Sequence, residues 1–78
     1  MRFKVNDNVR IVAAKALPDM VGKIYLVQYV GPWKKGDLQP NGGYALTDCD
    51  YILLDPEYQE NPFYAPGISC RDNNLEST

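Results

Sequence analysis

Apolar residues of this chain fall in short runs, separated by segments rich in Gly, Pro, Asn and Asp. Near the N-terminus, Val9 and Ile11 alternate with Arg10 and Val12, the pattern of a strand with one buried face. Nearly every residue from 24 to 30 is apolar or aromatic, and the β-branched and aromatic content favours a strand over a helix. Burial on both faces of this run predicts a long, curved central strand.

Residues 31–43 interrupt the pattern with four of the six glycines and two of the six prolines. Loops of this length without secondary structure are uncommon in a compact domain and are usually functional or mobile. Trp33 lies within this loop, and two hypotheses describe it. It either folds back as a lid on the core or faces a partner as an interface anchor. The loop is therefore the first place to look for a functional surface.

Two further apolar runs, residues 44–47 and 51–54, predict a β-hairpin with a tight turn at 48–50. The inward side chains of this hairpin are expected to be Tyr44, Leu46, Ile52 and Leu54.

The last third of the chain is less regular. Asp55, followed by proline, predicts a short helical turn near Asp55 and Tyr58. Residues 63–68 are extended without periodicity, and residues 71–78 are polar and expected to fray. The predicted organisation is a folded unit over 1–62 and an extended segment with a polar tail over 63–78.

The order of these elements resembles SH3-like small β-barrels, in particular bacterial and phage members with a KOW-like start. The resemblance spans residues 2–62 and implies an all-β fold, a single SH3-like barrel of about five strands. It also implies a bacterial or phage origin. The matching residues are Phe3, Val5, Asp7, Val9, Ile11, Met20, Val21, Gly22, Tyr44, Leu46, Asp48, Pro56 and Glu57.

Composition fits one small folded domain, with 78 residues of which 45% are hydrophobic. The N-terminus lacks the apolar stretch of a secretory signal, and no run of about 18 apolar residues exists to span a membrane. We therefore expect a cytoplasmic protein. In a reducing compartment Cys49 and Cys70 are expected to be free thiols, with Cys49 buried as a small hydrophobic residue.

The formal net charge of −2 conceals an asymmetry along the chain. Residues 1–35 hold seven basic and two acidic residues, or +5, whereas residues 36–78 hold one basic and eight acidic residues, or −7. The asymmetry predicts two faces of opposite sign, unless strands from both halves interleave and the charges cancel.

Most catalytic chemistry is disfavoured by the residue types. The chain has no histidine, which removes Ser-His and Cys-His nucleophilic systems and the commonest metal ligand. Asp48, Asp50, Asp55 and Glu57 lack the spacing of a calcium-binding EF-hand. A barrel of 8.8 kDa also offers little cleft for a paired-carboxylate hydrolase. We therefore expect a non-enzymatic protein with no cofactor and no metal.

Protein binding is the leading hypothesis, because six tyrosines and one tryptophan give large contact area at low entropic cost. Rings among carboxylates in the last third predict an acidic aromatic surface suited to a basic partner, although the same rings also suit a barrel core. Such a surface can imitate nucleic acid, so a small regulatory or inhibitory protein, such as a host-defence inhibitor, is a specific form of this hypothesis. The predicted protein-binding residues are Trp33, Lys34, Lys35, Asp37, Tyr51, Asp55, Glu57, Tyr58, Phe63 and Tyr64.

Nucleic-acid binding is the alternative, because small barrels with aromatic faces stack bases beside basic grooves. The sequence pI near 4.8 argues against it. The candidate residues are Arg2, Lys4, Arg10, Lys23, Lys34 and Lys35 with Tyr25, Tyr29 and Trp33.

Overall fold

The computed structural model describes residues 2–14, 18–54 and 67–78. Within these ranges the secondary structure is almost entirely β, which confirms the predicted class. The strands are β1 (Asn8–Ile11), β2 (Ile24–Trp33), β3 (Cys49–Leu54), β4 (Ile68–Cys70) and β5 (Leu75–Ser77), with two 3-10 turns at Pro18–Met20 and Asp72–Asn74. None of the described helical segments is long and apolar enough to cross a bilayer.

All five strands belong to one antiparallel sheet with the order β4-β3-β2-β1-β5. The first four strands follow one another as a meander, and β5 returns to pair with β1. Val9 and Ile11 of β1 point into the core, as their alternation with Arg10 predicts. Gly22, at φ +89°, makes the turn that leads from the Pro18–Met20 segment into β2, and its N–H donates to the carbonyl of Ile11 at 2.7 Å.

The central strand β2 is ten residues long and pairs with both β1 and β3. Its register against β3 shifts twice, between Val27 and Tyr29 and again between Val30 and Trp33. Each shift places extra residues on β2, and such bulges bend a strand and increase its twist. The predicted long central strand is confirmed, and it continues through Trp33, two residues beyond the point where the loop was expected to begin.

In the main core cluster, the inward residues of every strand meet Phe3 from the N-terminal segment. Ile52, which was predicted to point inward, is also fully buried, on the opposite face of β3. Phe3 packs edge-on against Tyr51, with ring centroids 5.6 Å apart and an interplanar angle of 61°. The buried residues of this cluster are Phe3, Val9, Ile11, Tyr25, Val27, Tyr51, Leu53, Cys70 and Leu75.

The predicted hairpin over residues 44–54 is wrong. Residues 48–50 are not a turn, because β3 begins at Cys49 and pairs with β2 on one side and β4 on the other. Tyr44 and Leu46, predicted to point inward, are 67% and 84% exposed. The apolar run 51–54 had two possible partners, the nearby run 44–47 and the distant β2, and only β2 offers a matching length of buried strand.

The prediction of a frayed tail over residues 71–78 is also wrong. Residues 75–77 form β5, and Leu75 is part of the core. The turn before β5 is held by Arg2, whose Nε donates to Asp72 Oδ1 at 2.7 Å and whose Nη2 donates to the carbonyl of Leu75 at 2.8 Å. An isolated strand has no partner for its backbone hydrogen bonds, and for residues 75–77 pairing with β1 supplies that partner.

The predicted helical turn near Asp55 and Tyr58 and the boundary at residue 62 lie outside the described residues. Strands β4 and β5, assigned from sequence to the segment 63–78, belong to the same sheet as the first three strands.

Candidate protein-binding surface

The chain between β2 and β3, residues 34–48, is an ordered excursion folded back on itself. The N–H of Gly36 donates to the carbonyl of Ala45 at 2.7 Å, and the N–H of Ala45 donates to the carbonyl of Asp37 at 2.9 Å. Nearer the tip, the N–H of Gln39 donates to the carbonyl of Gly43 at 2.8 Å. Residues 34–43, expected to be an irregular loop, therefore form a short hairpin-like arm together with residues 44–48, and the arm has its own hydrogen bonds.

One face of this arm packs onto the protein and the other faces solvent. Gln39 and Ala45 are buried, and Gln39 Nε2 donates to Cys49 Sγ at 3.3 Å. Leu38 and Tyr44, which face each other across the arm, point the opposite way together with Leu46. These three side chains, Leu38, Tyr44 and Leu46, form what we call the apolar finger, and they are 65%, 67% and 84% exposed.

Asp37 and Asp48 hold the base of the arm. The N–H of Lys34 donates to Asp37 Oδ2 at 2.8 Å, and the N–H of Lys35 donates to Asp48 Oδ1 at 3.0 Å. Both lysines are exposed. Asp37 thus stabilises a turn through its side chain, a structural role that the prediction of a partner-facing residue did not include.

Trp33 is half-buried at the end of β2, where it forms one wall of a groove of about 260 Å³. We call this the Trp33 groove. Two roles were considered from sequence, a lid on the core and an anchor that faces a partner. Because Trp33 is only half-buried, its burial matches neither role fully. The groove is lined by Pro32, Trp33, Lys34, Asp48, Cys49, Asp50 and Arg71.

Tyr51 was predicted to bind a partner, but its side chain is fully buried. Its hydroxyl donates to Asp72 Oδ2 at 2.5 Å and accepts from the N–H of Phe3 at 3.2 Å. Burial, and then the bond to the Asp72 carboxylate, raises the pKa of the Tyr51 phenol. The same bond, together with Arg2, lowers the pKa of Asp72. Tyr51 therefore connects β3 to both chain ends and offers no surface to a partner.

The two cysteines are free thiols, and both are buried. Burial raises the pKa of Cys49, and raises that of Cys70 to about 11 with a smaller contribution from Cys49 itself. Thiols of this kind are poor nucleophiles at neutral pH because little thiolate is present. The two side chains therefore contribute to the core and to the floor of a groove rather than to reactive chemistry.

Residues proposed for nucleic-acid binding differ in how far they are exposed and paired. Tyr25 is buried in the core, while Tyr29 and Trp33 are half-buried. Arg2 pairs with Asp72 at 2.7 Å, and Arg10 pairs with Glu76 at 2.8 Å on the β1–β5 edge. The remaining candidates, Lys4, Lys23, Lys34 and Lys35, are exposed.

Half of the predicted protein-binding residues cannot be placed. The residues Asp55, Glu57, Tyr58, Phe63 and Tyr64 lie outside the described parts of the chain. Within the described parts, no group of three or more Cys, Asp or Glu side chains is arranged to hold a metal ion.

Sequence reasoning missed the three residues of the apolar finger. Leu38 is the single aliphatic residue among the polar, Gly and Pro residues of 34–43, a signal that was available. Tyr44 and Leu46 are two positions apart, the spacing of side chains on one face of a strand. In the arm this face points to solvent, whereas Ala45 between them is buried.

Comparison of this chain with protein-family models, with curated proteins and with solved structures found no match. The function must therefore be argued from the geometry of the surface alone.

Proposed function

We propose that this protein is a non-enzymatic protein-binding module built on an SH3-like small barrel, and that the apolar finger is its contact surface. The barrel is supported by β5 pairing back onto β1 and by the bulges of β2, because bending of a long central strand lets a short meander curl. The observation that carries the functional proposal is the set of three large apolar side chains held outward on a hydrogen-bonded arm. Apolar groups gathered in this way mark interaction sites.

The size of the finger favours a different protein as the partner over a second copy of this chain. Even the largest side chains bury at most roughly 250 Å², so exposed fractions of 65%, 67% and 84% correspond to no more than about 550 Å². A stable symmetric dimer needs about 800 Å² from each partner. A projecting finger of this area instead fits a concave apolar pocket, where a few buried side chains carry most of the binding energy.

A small regulatory or inhibitory protein is a specific form of this proposal, and the resemblance to SH3-like barrels implies a bacterial or phage origin for it. Such a protein acts by occupying a pocket on its target, which needs rigid presentation of a few anchors and no catalytic group. The free thiols agree with action in the cytoplasm.

The test is affinity capture of partners from nuclease-treated bacterial lysate, comparing the parent chain with a triple variant Leu38→Ser, Tyr44→Ser, Leu46→Ser. The matched control changes exposed valines elsewhere on the surface, Val5→Ser and Val21→Ser. We expect partners that bind the parent and the control but are lost from the triple variant. Equal capture by the triple variant contradicts the proposal. Partners captured from an untreated lysate but absent from the nuclease-treated one favour nucleic-acid binding instead.

A further inference from the structure

A second groove, of about 180 Å³, gathers sulfur-bearing side chains from three parts of the chain. Its walls come from the end of β1, the Pro18–Met20 turn and the paired strands β3 and β4. Met20, Cys49 and Cys70 all line it, and they are the only Met and Cys residues among those the structure describes. We call it the sulfur groove, because the fold brings two thiols and one thioether to it.

The two thiols are diagonal neighbours on adjacent strands. Cys70 of β4 is paired with Tyr51 of β3, and Cys49 lies two residues before Tyr51 on the same face of β3. Diagonal neighbours in an antiparallel pair are about 7–8 Å apart, with their Cβ atoms somewhat closer. Cys49 also contributes to the raised pKa of Cys70, which is a second sign that the two sulfur atoms are close.

A disulfide does not suit this spacing, whereas a bridging metal ion does. Disulfide-bonded cysteines have Cβ atoms about 3.5–4.5 Å apart and an S–S bond of about 2.05 Å. Two metal–sulfur bonds of the length found for zinc, about 2.3 Å each, instead place the sulfur atoms about 4–4.6 Å apart. A bridge through an ion is therefore roughly 2 Å longer than a disulfide, and this extra length matches diagonal neighbours.

The third sulfur and one of the thiols are held in place by their surroundings. The carbonyl of Met20 accepts from the N–H of Lys23 at 3.1 Å, and the Met20 side chain packs against the main core cluster while it lines the groove. Cys49 Sγ accepts from Gln39 Nε2 at 3.3 Å. Hydrogen bonds of this kind orient the atom that binds a metal.

The kind of sulfur determines the kind of ion. Thiolate and thioether groups are soft ligands, and together they favour Cu(I). Structural zinc takes four ligands from Cys, His and carboxylates, and among the described residues no three Cys, Asp or Glu are arranged to hold a metal ion. The rim of the groove carries Asp48 and Arg71, one charge of each sign, so charge selects no ligand here.

We propose that the sulfur groove binds one Cu(I) ion through the sulfur atoms of Cys49, Cys70 and Met20. Each thiol releases its proton as its bond to copper forms, so two protons leave and the copper stays in the Cu(I) state. Because the ion displaces these protons, thiols that are poor nucleophiles at neutral pH are still competent ligands. The expectation of no metal considered imidazole and oxygen ligands, and a site built from thioether and thiol sulfur lies outside it.

The bound ion joins the Pro18–Met20 turn to β3 and β4. The sulfur groove is lined by none of the three residues of the apolar finger. The inference therefore goes beyond the proposed function and does not depend on it.

The experiment is an anaerobic titration of the full chain with Cu(I), in competition with the coloured Cu(I) chelator bathocuproine disulfonate. We expect one Cu(I) per chain by native mass spectrometry, an ultraviolet thiolate-to-copper absorption band, and no change in oligomeric state. Zn(II), titrated in parallel with a zinc-sensitive dye, should bind far more weakly, because two thiols are only half of its usual ligand set.

Three variants test the three ligands. Cys49→Ala and Cys70→Ala should each weaken Cu(I) binding by at least about a hundredfold, since even groups that only hydrogen-bond a metal ligand contribute about 10–100-fold. Met20→Leu nearly conserves the side-chain volume and should weaken binding about tenfold. Val21→Ala is the control, because Val21 is exposed and does not line the groove, and it should leave the affinity unchanged. Circular dichroism of each free variant reports whether it is folded.

The inference is overturned if Met20→Leu or either alanine variant binds Cu(I) as tightly as the parent, or if Zn(II) binds as tightly as Cu(I). Copper held between two chains, seen as a copper-dependent doubling of the mass, overturns it as well. Its failure is distinguishable from failure of the proposed function, because Met20→Leu should capture the same partners as the parent. Partner capture through the apolar finger without Cu(I) binding removes this inference and leaves the proposed function standing.

Discussion

The substitution Tyr51→Phe removes one hydroxyl and tests how the chain ends are held to the sheet. The hydroxyl donates to the Asp72 carboxylate at 2.5 Å and accepts from the N–H of Phe3 at 3.2 Å. Its ring is fully buried, and phenylalanine keeps the apolar contacts. The cost therefore comes from the two hydrogen bonds alone.

A hydrogen bond to a charged group contributes about 1.5–3 kcal/mol, and a buried donor left without a partner costs about 1–3 kcal/mol. The Asp72 side chain is 28% exposed, so in the variant water and Arg2 can replace part of the hydrogen bonding that the Tyr51 hydroxyl gave to its carboxylate. We expect Tyr51→Phe to lower the free energy of unfolding by about 2–3 kcal/mol. In a domain of this size that is a fall in melting temperature of roughly 10–20 °C.

The pH dependence separates the two bonds. The pKa of Asp72 is lowered in the folded state, first by the Tyr51 hydroxyl and then by Arg2. A lowered pKa contributes stability above the unfolded value, 3.8, and that stability is lost as the pH falls through the folded value. The free energy of unfolding of Tyr51→Phe should therefore fall below that of the parent by the whole expected amount above about pH 5. Below about pH 4 this difference should become smaller, because only the loss of the bond to the Phe3 N–H still contributes to it.

The assay is urea unfolding at pH 7 and at pH 2.5, followed by circular dichroism. Tyr44→Phe is the matched control, because that ring is exposed and its hydroxyl should cost less than about 0.5 kcal/mol. A Tyr51→Phe protein within 0.5 kcal/mol of the parent, or a difference that is the same at both pH values, would refute the reasoning.

Three other measurements follow from the fold. Leu75→Ala should cost about 2–5 kcal/mol in urea unfolding because β5 is part of the core; a cost below 1 kcal/mol would mean that residues 75–77 detach in solution. Leu46→Ala should change stability by less than about 0.5 kcal/mol, and a larger loss would place this side chain inside the fold rather than on the apolar finger. Cys49 and Cys70, whose pKa values are raised by burial, should react slowly with Ellman's reagent at pH 8 and rapidly in denaturant; equal rates in the two conditions would contradict their burial.

Local pattern was enough to predict the class of the fold and its central strand. Alternation placed Val9 and Ile11 inward, and the nearly continuous apolar run over residues 24–30 placed β2 at the centre of the sheet. These features depend on the period of the side chains along one strand, which the sequence displays directly.

Strand partners were harder to predict, because pairing depends on residues far apart in the chain. The run 51–54 was matched with its nearest neighbour, although the structure pairs β3 with β2 and β4. The polar segment 71–78 gave no sign of a strand, and it became one only because Arg2 and β1 bind it from the other end of the chain.

The candidate surface divides in the same way. Sequence alone located the region around Trp33 and residues 31–43, because its glycines, prolines and lone tryptophan do not suit a core strand. Only the tertiary structure decided that Tyr44 and Leu46 face solvent, that Tyr51 is buried, and that Arg71 lines the same groove as Trp33. The physical reason is that the period of a strand defines two faces, whereas which face meets water depends on what packs against the other.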